Sequence, residues 1–583
     1  MIKNKYRDLY CGQVTEKDVS KKIKVSGWAE NIRDHGGVLF LDLRDMYGSL
    51  QIVSNDNKLF EGITKESVLF VEGIIRKRDK ETINEKLITG KVELLAERVE
   101  LLSRAKNELP FEIFTSKTNN ELLRLKYRYL DLRNKEVQET ILFRSEVIKF
   151  LRRKMHNLGF IEFQTPILTA SSPEGARDFI VPSRKYKGKF YALPQAPQIF
   201  KQLIMVSGFD KYFQIAPCFR DEDGRSDRTP GEFYQLDFEM AFAEQEDVLE
   251  IGEDIFYELF TKFSKKEVSN KPFVRISYQE SMLKYGTDKP DLRNPLTITD
   301  LTKEFEQTTF KPFIDAVIRG IVVHDIGTKP NSWFNELVNF ATSIGMPGIG
   351  YVILLEDGTF KGPIDKFLSD IEKETVKEKT KMRTDSVLFF IADKNEKEVS
   401  KRAGLIRDEL GNKLNLIDKN KIEFCIINDF PMYEWDIETD NYIFTHNPFS
   451  MPQGELDSLN NKKPEGILAY QYDFVCNGIE VASGAVRNHN LEIMKRAFEI
   501  AGYDEKVIKD EFASLYTAFQ YGAPPHAGMA PGLDRIIMLL KDEINIREVI
   551  LFPMSVGAQD LMMNAPSIVT EQQLRDVHIK IRE

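Results

Sequence analysis

Runs of alternating apolar and polar residues at 23–28, 38–43, 50–53, 68–73 and 92–95 fill the first hundred positions. A period of two sends successive side chains to opposite faces, so each run can bury its apolar half only as a strand of a curved sheet. Glycines and charged turns punctuate the runs, at Gly36-Gly37, Gly48 and Gly90. Strands at this spacing predict a small sandwich or an oligonucleotide-binding barrel.

The alternation stops near residue 103, and a polar, charged connector containing Pro110 follows to about 135. Ile141, Ile148, Leu151, Met155 and Leu158 then mark one helical stripe, with Gly159 placed to stop it. Residues 160–166 read as extended, and Pro166 ends regular pairing. Mixed strands and helices run on to about 285 and again from about 422 to 560. Between them, residues 286–420 open with a turn-rich stretch, from Gly286 to Pro295, and end in a lysine-rich helical run. That texture predicts a domain inserted into a split catalytic domain, within a chain of 583 residues that is too long for one core.

Composition narrows the function. No apolar run approaches the roughly 18 residues of a membrane span, and the first residues lack an apolar leader. The four cysteines lie far apart without a CxxC pair, which argues against a disulfide framework or a thiolate zinc site and fits the cytoplasm. Net charge is −10, yet residues 1–110 carry 20 Lys and Arg against 18 Asp and Glu. Bulk charge therefore gives no support for nucleic-acid binding, which would need a local basic face.

Three stretches concentrate polar chemistry. Residues 219–239 run from a strand through a loop bearing Arg220, Arg225 and Arg228 into a second strand near Phe233. Guanidinium groups bond phosphate oxygens bidentately, so this loop suits a phosphate clamp, although a solvated hairpin tip reads the same way. Gly528 to Arg535 leads into an apolar helix, where glycines admit close backbone approach and the helix dipole favours anions. It is neither a Walker A loop nor a dinucleotide fingerprint. Asp473 and Glu480 flank Asn477-Gly478, a tight-turn pair that predicts a hairpin. Two carboxylates so paired can hold Mg2+, or simply be exposed strand-end acids. No histidine cluster has zinc-ligand spacing.

Taken together and in order, residues 160–166, 219–239 and 528–540 resemble the three signature motifs of class II aminoacyl-tRNA synthetases. The whole chain resembles the bacterial-type aspartyl-tRNA synthetases of the aspartate, asparagine and lysine subgroup. Supporting strings are Gln195 to Leu203, Phe219 to Asp223, Tyr285 to Arg293 and Gly532 to Arg535. The resemblance implies an α+β multidomain protein, with an N-terminal OB-fold β-barrel at 1–106 and a hinge at 107–137. A class II antiparallel sheet flanked by helices would lie in two parts, 138–288 and 419–583, around an inserted α+β domain at 289–418. It implies ATP and Mg2+, L-aspartate, tRNA-Asp and a homodimer formed around Pro166.

The implied roles attach to named positions. Arg220 and Arg535 are the implied catalytic residues, with Arg220 on the α-phosphate. Asp221, Glu222, Phe233, Glu480, Gly532, Leu533, Asp534 and Arg535 complete the ATP site, where Phe233 and Arg535 sandwich adenine. Asp473 and Glu480 hold the metal. Lys201 and Arg487 face the aspartate side-chain carboxylate, Glu174, Gln198 and Asp237 take its ammonium end, and His446 and Arg220 complete that site. A pocket of two cations rejects asparagine, whose amide would set donors against donors. In the barrel, Phe40 stacks on an anticodon base while Arg33, His35, Gln51 and Glu93 read base edges. An aromatic in an alternating strand is usually core, but Asp42 and Arg44 share the parity of Phe40. The segment Arg33 to Gly37 resembles relatives that charge both tRNA-Asp and tRNA-Asn, and Lys80 to Glu85 matches that pattern less cleanly. Thr229 and the additional Gly231 depart from some relatives in the arginine loop. Two rivals remain at this stage. An asparagine-specific ligase is opposed by Lys201, and a tRNA-binding module with a dead ATP site by the presence of Arg220, Glu222, Asp473, Glu480 and Arg535.

Overall fold

The computed structural model describes residues 4–35, 38–85, 87–171 and 176–582, with backbone alone at His35 and Asn57. The chain divides into two compact units, Met1–Asn119 and Asn120–Glu583. Of the positions singled out above, Gly36, Gly37 and Glu174 lie outside the described residues, as does the side chain of His35.

In the first unit the strands Lys22–His35, Val38–Asp45, Gly48–Ser54, Val68–Lys77 and Val92–Ser103 close into a barrel. The third and fifth strands pair parallel and the other pairs are antiparallel. Closure decides between the two β architectures that alternation left open. Val25, Leu41, Leu43, Leu50, Ile52, Leu69, Val71 and Leu94 fill the interior with no exposed surface. Each belongs to the apolar parity of its run, as a half-buried strand requires. Gly73 marks a register shift against the fifth strand, and a Cβ there would sit 2.1 Å from the Leu95 carbonyl oxygen.

The second unit is built on an eight-stranded sheet. In order across it lie Val274–Ser277, Phe424–Pro431, Leu468–Cys476, Ile479–Val486, His526–Pro531, Gly231–Ala241, Lys211–Arg220 and Ile161–Glu162. The six central strands are antiparallel, as expected, and the two edge strands join them parallel. The helices Lys135–Asn157, Gln245–Phe263 and Leu533–Lys541 contribute to the main core beside the sheet. Asn134 caps the first of these by accepting from the amides of Glu136 and Val137, and Gly159 stops it at φ +82°. Its buried stripe is Val147, Phe150, Leu151 and Met155, with Ile148 and Leu158 packed at the margin and Ile141 only half-buried.

Between the two parts of that sheet the chain builds a second, five-stranded antiparallel sheet. Its order is Ile298–Asp300, Val317–Val323, Val387–Asp393, Gly350–Leu354 and Phe360–Lys361. The helices Asn331–Ser343, Asp370–Lys379 and Glu396–Lys413 accompany it around two apolar clusters of its own.

Candidate active site

One cavity of about 540 Å3 opens on the large sheet. The strands Lys211–Arg220 and Gly231–Ala241 pair from Lys211 with Met240 to Arg220 with Gly231, so the charged loop 221–230 hangs from a rigid ribbon. Gly231 adopts φ +78° where the ribbon resumes, a conformation a side chain would resist. Arg220, Glu222, Phe233, Glu480, Gly532, Asp534, Arg535, Gln198, Lys201, Asp237, His446, Asp473 and Arg487 all line the cavity. Positions far apart in the chain thus converge on one cavity.

Two expected residues do not line it. Leu533 has no exposed surface and packs in the main core, because the first turn of its helix must bury that apolar face. Asp221 is exposed on the loop, its amide donating to the Arg177 carbonyl at 3.0 Å. Asp534 lines the wall but commits its carboxylate elsewhere, accepting from Arg144 and, at 3.0 Å, from the Tyr234 amide. It braces the ribbon against two helices.

At one end the cavity is lined by paired charge, with Asp237 Oδ2 left without a hydrogen-bond partner. The Lys201 ammonium donates to Asp237 at 2.6 Å and stands 3.3 Å from Glu239. Arg487 donates to both oxygens of Glu239, at 2.8 and 3.2 Å. These four groups are 2% exposed or less, so each ion survives burial only through its partners. Burial pushes the Glu239 carboxyl up, but Arg487 and Lys201 outweigh it and hold the group below the ordinary range. Burial dominates at Asp237, whose carboxyl is raised although Lys201 opposes the shift. His446 sets its ring edge-on to Phe430 at 4.9 Å on the same wall.

The other end is under-compensated. Arg220 lies over the Phe233 ring at 5.0 Å. Arg535 donates to the carbonyls of Asp227 at 3.2 Å and Glu480 at 3.0 Å, which ties the arginine loop to the hairpin. The hairpin has the predicted turn, with Asn477 and Gly478 at φ 51° and 82°. Register slips between Phe474 and Val475, so that Ala482 faces Phe474 but Glu480 faces Val475. The extra residue, Val481, is buried in the main core. The turn alone puts Glu480 opposite Val475 and so on the face of Asp473, and the bulge lets Ser483, of the other parity, face Asp473 as well. Burial and the neighbouring Glu480 push the Asp473 carboxyl well above its usual range, so the pair lacks sufficient positive charge. Two such oxygen donors fit Mg2+, which takes one or two carboxylates and fills its octahedron with water and phosphate. Among the described residues no group of three or more His, Cys, Asp or Glu side chains is arranged as an all-protein metal cage.

Several buried polar atoms around the cavity have no hydrogen-bond partner: Gln198 Nε2, Arg220 Nε, Thr445 Oγ1 and Gln471 Oε1. Unsatisfied groups of this kind are rare in a finished core and common where a ligand completes the bonding.

The barrel carries a second polar surface. Phe40, Asp42 and Arg44 alternate with the buried Leu41 and Leu43 and are each partly exposed. Arg33 donates to both oxygens of Asp42, at 3.0 and 2.9 Å. Gln51 pairs across from Asp42 and donates to Glu93 at 2.9 Å, while Arg76 reaches the other Glu93 oxygen at 2.6 Å.

Residues 120–556 match the family model of class II tRNA synthetases (D, K and N). The chain belongs to this family. Residues 23–102 of the synthetase match a second model, the OB-fold nucleic acid binding domain. The aspartate–tRNA(Asp/Asn) ligase of Rickettsia felis is 51% identical over 99% of this chain and 98% of its own. The enzyme of the same name from Rickettsia canadensis matches at 51% over the same shares. In three dimensions the synthetase is similar to asparaginyl-tRNA synthetase from Pyrococcus horikoshii complexed with asparaginyl-adenylate. That likeness has a TM-score of 0.57 at 18% identity, over 94% of this chain and 97% of the other, and it supports the fold.

Sequence reading of this synthetase passed over Glu239, which grips both cations from behind. Its signal was present, since it follows Asp237 by two positions on a strand and so shares its face. Arg76 and Arg144 were also missed, and nothing local marks either.

Proposed function

We propose that the protein is an ATP-dependent ligase that joins L-aspartate to tRNA-Asp through aspartyl-adenylate, and that it also charges tRNA-Asn. The observation that carries this reading is the pair of buried cations, Lys201 and Arg487, at one end of a cavity whose other end holds Arg220, Arg535 and the Asp473–Glu480 pair. In the first step an aspartate carboxylate oxygen attacks the α-phosphorus of ATP and pyrophosphate departs. In the second, a hydroxyl of the terminal tRNA ribose attacks the acyl carbon and AMP departs.

Positioning and charge compensation account for most of the acceleration. Arg220, with a free Nε and a planar fork, holds the α-phosphate as charge builds on its oxygens. Phe233 and Arg535 take the two faces of adenine, and Glu222 contacts its edge. Gln198 and Asp237, with Glu174, receive the ammonium. Lys201 and Arg487 receive the side-chain carboxylate, and Glu239 fixes both cations in place. Asp473 and Glu480 would hold Mg2+, which would supply positive charge to offset that of the departing pyrophosphate. On the barrel, Phe40, Arg33, Gln51 and Glu93 read unstacked anticodon bases, together with His35. Names of relatives at 51% identity support charging of both tRNAs. Exposed Ile161, Ile167 and Leu168 beside Pro166 support a homodimer, which light scattering of the purified protein tests. The buried cysteines, which form no disulfide among the described residues, fit a cytoplasmic enzyme.

Pyrophosphate exchange with aspartate and with asparagine, followed by charging of both purified tRNAs, tests the assignment. Exchange with aspartate alone is expected. Exchange driven by asparagine would overturn the amino-acid assignment, and failure to charge tRNA-Asn would end the relaxed choice.

A further inference from the structure

The stretch Gly286 to Arg293 leads from the catalytic sheet into the inserted domain, and nothing above gives it a task. Its Lys289 ammonium donates to Asp288 at 2.8 Å and stands 3.5 Å from Glu480 Oε2. The loop lies against the metal-site hairpin, for a Cβ at Gly478 would come within 3.3 Å of the Asp291 Cβ. It is also anchored from the inserted domain. Arg407, fully buried on the helix Glu396–Lys413, donates to the carbonyls of Asp291 at 2.9 Å, Asn294 at 2.8 Å and Leu296 at 2.6 Å. The helix packs so closely there that a Cβ on Gly286 would meet the Ser400 carbonyl oxygen at 2.2 Å.

We propose that Lys289 is the resident counter-ion of the Asp473–Glu480 pair, a positioning residue that holds Glu480 and sets how tightly the pair takes a divalent cation. The proposal rests on the reading of that pair as the metal site. A positive charge this close lowers the electrostatic gain that a metal ion finds there, and the cation must displace or outbid it. A site without the cation would thus already have a substitute charge. Arg407 anchors the loop that carries this charge, which connects the inserted domain to the hairpin of Asp473 and Glu480.

Mn2+ binding to the nucleotide-free protein, followed by electron paramagnetic resonance, tests this without any turnover. Lys289→Met should tighten Mn2+ binding roughly tenfold, and Lys289→Gln should do the same if the methionine variant folds poorly. Lys289→Arg, which keeps the charge, should stay within about twofold of the parent. Unchanged or weaker binding in both neutral variants, with thermal midpoints near the parent, would overturn the proposal. Asp473→Asn separates the two readings. Lost Mn2+ binding in that variant upholds the pair as the metal site, whereas full retention would remove the pair assignment and the Lys289 role together.

Discussion

The barrel and the large sheet each present a polar face on β-strands, yet they handle charge in opposite ways. On the barrel, Arg33 is 48% exposed, so solvent screens its pair with Asp42 and the pair contributes little to stability. In the cavity, Lys201, Asp237, Glu239 and Arg487 are sealed from water, and loss of one leaves another uncompensated. A surface that reads bases must release its own hydrogen bonds easily. A pocket that selects a small acid can hold its cations rigidly, because the ligand is recognised by fixed geometry.

This contrast fails if substitutions in the two places behave alike. The largest effect belongs to Arg487→Ala. It should cost about 3–5 kcal/mol of stability by stranding Glu239 and lower aspartate-dependent pyrophosphate exchange by at least about a thousandfold; calorimetry and exchange assays read both. Arg220→Ala separates chemistry from folding within the same cavity. Its Nε lacks a protein partner, so exchange should fall by about a thousandfold while the thermal midpoint and tRNA binding stay near the parent values.

The buried His526 adds a pH signature that only the large unit should show. Its Nδ1–H donates to the Pro524 carbonyl at 2.8 Å, and Nε2 lies 3.3 Å from the Gln202 amide. Burial lowers its pKa from 6.5 to about 4, and the nearby Arg487 and His489 add to that while Glu239 opposes it. The unfolded chain therefore takes up the proton first. Stability present above pH 6.5 is lost as pH falls toward about 4, by about 3 kcal/mol. Denaturant melts at the two pH values should show this in the parent and much less in His526→Gln. The smallest effect is on the barrel. Phe40→Ala should cut tRNA charging roughly tenfold to a hundredfold with exchange and stability almost unchanged; an equal loss of exchange would erase the distinction between the faces.

Much of this architecture was written in local pattern. Alternation marked the five barrel strands, Gly159 stopped its helix, and Asn477-Gly478 made its turn. Local pattern could not show what long-range packing decides. Arg487 meets Glu239 across 248 positions, and Arg144 meets Asp534 across 390, so neither partnership has a sequence period to reveal it. Leu533 and Asp221 were drawn into the site by their neighbours in a motif. One turns into the core as an apolar first-turn residue must, and the other turns out to solvent as a charged loop residue can.

The bulge at Val481 has a consequence for how such chains can vary. The turn sets Glu480 opposite Val475, and beyond the bulge Ser483 stands opposite Asp473, so residues of opposite parity on one strand reach one face. A regular strand of the same length would keep Glu480 beside Asp473 but turn Ser483 to the far side of the sheet. Loss of one residue at the bulge itself is therefore absorbed, while loss of one residue elsewhere in the strand carries half of the hairpin to the wrong face.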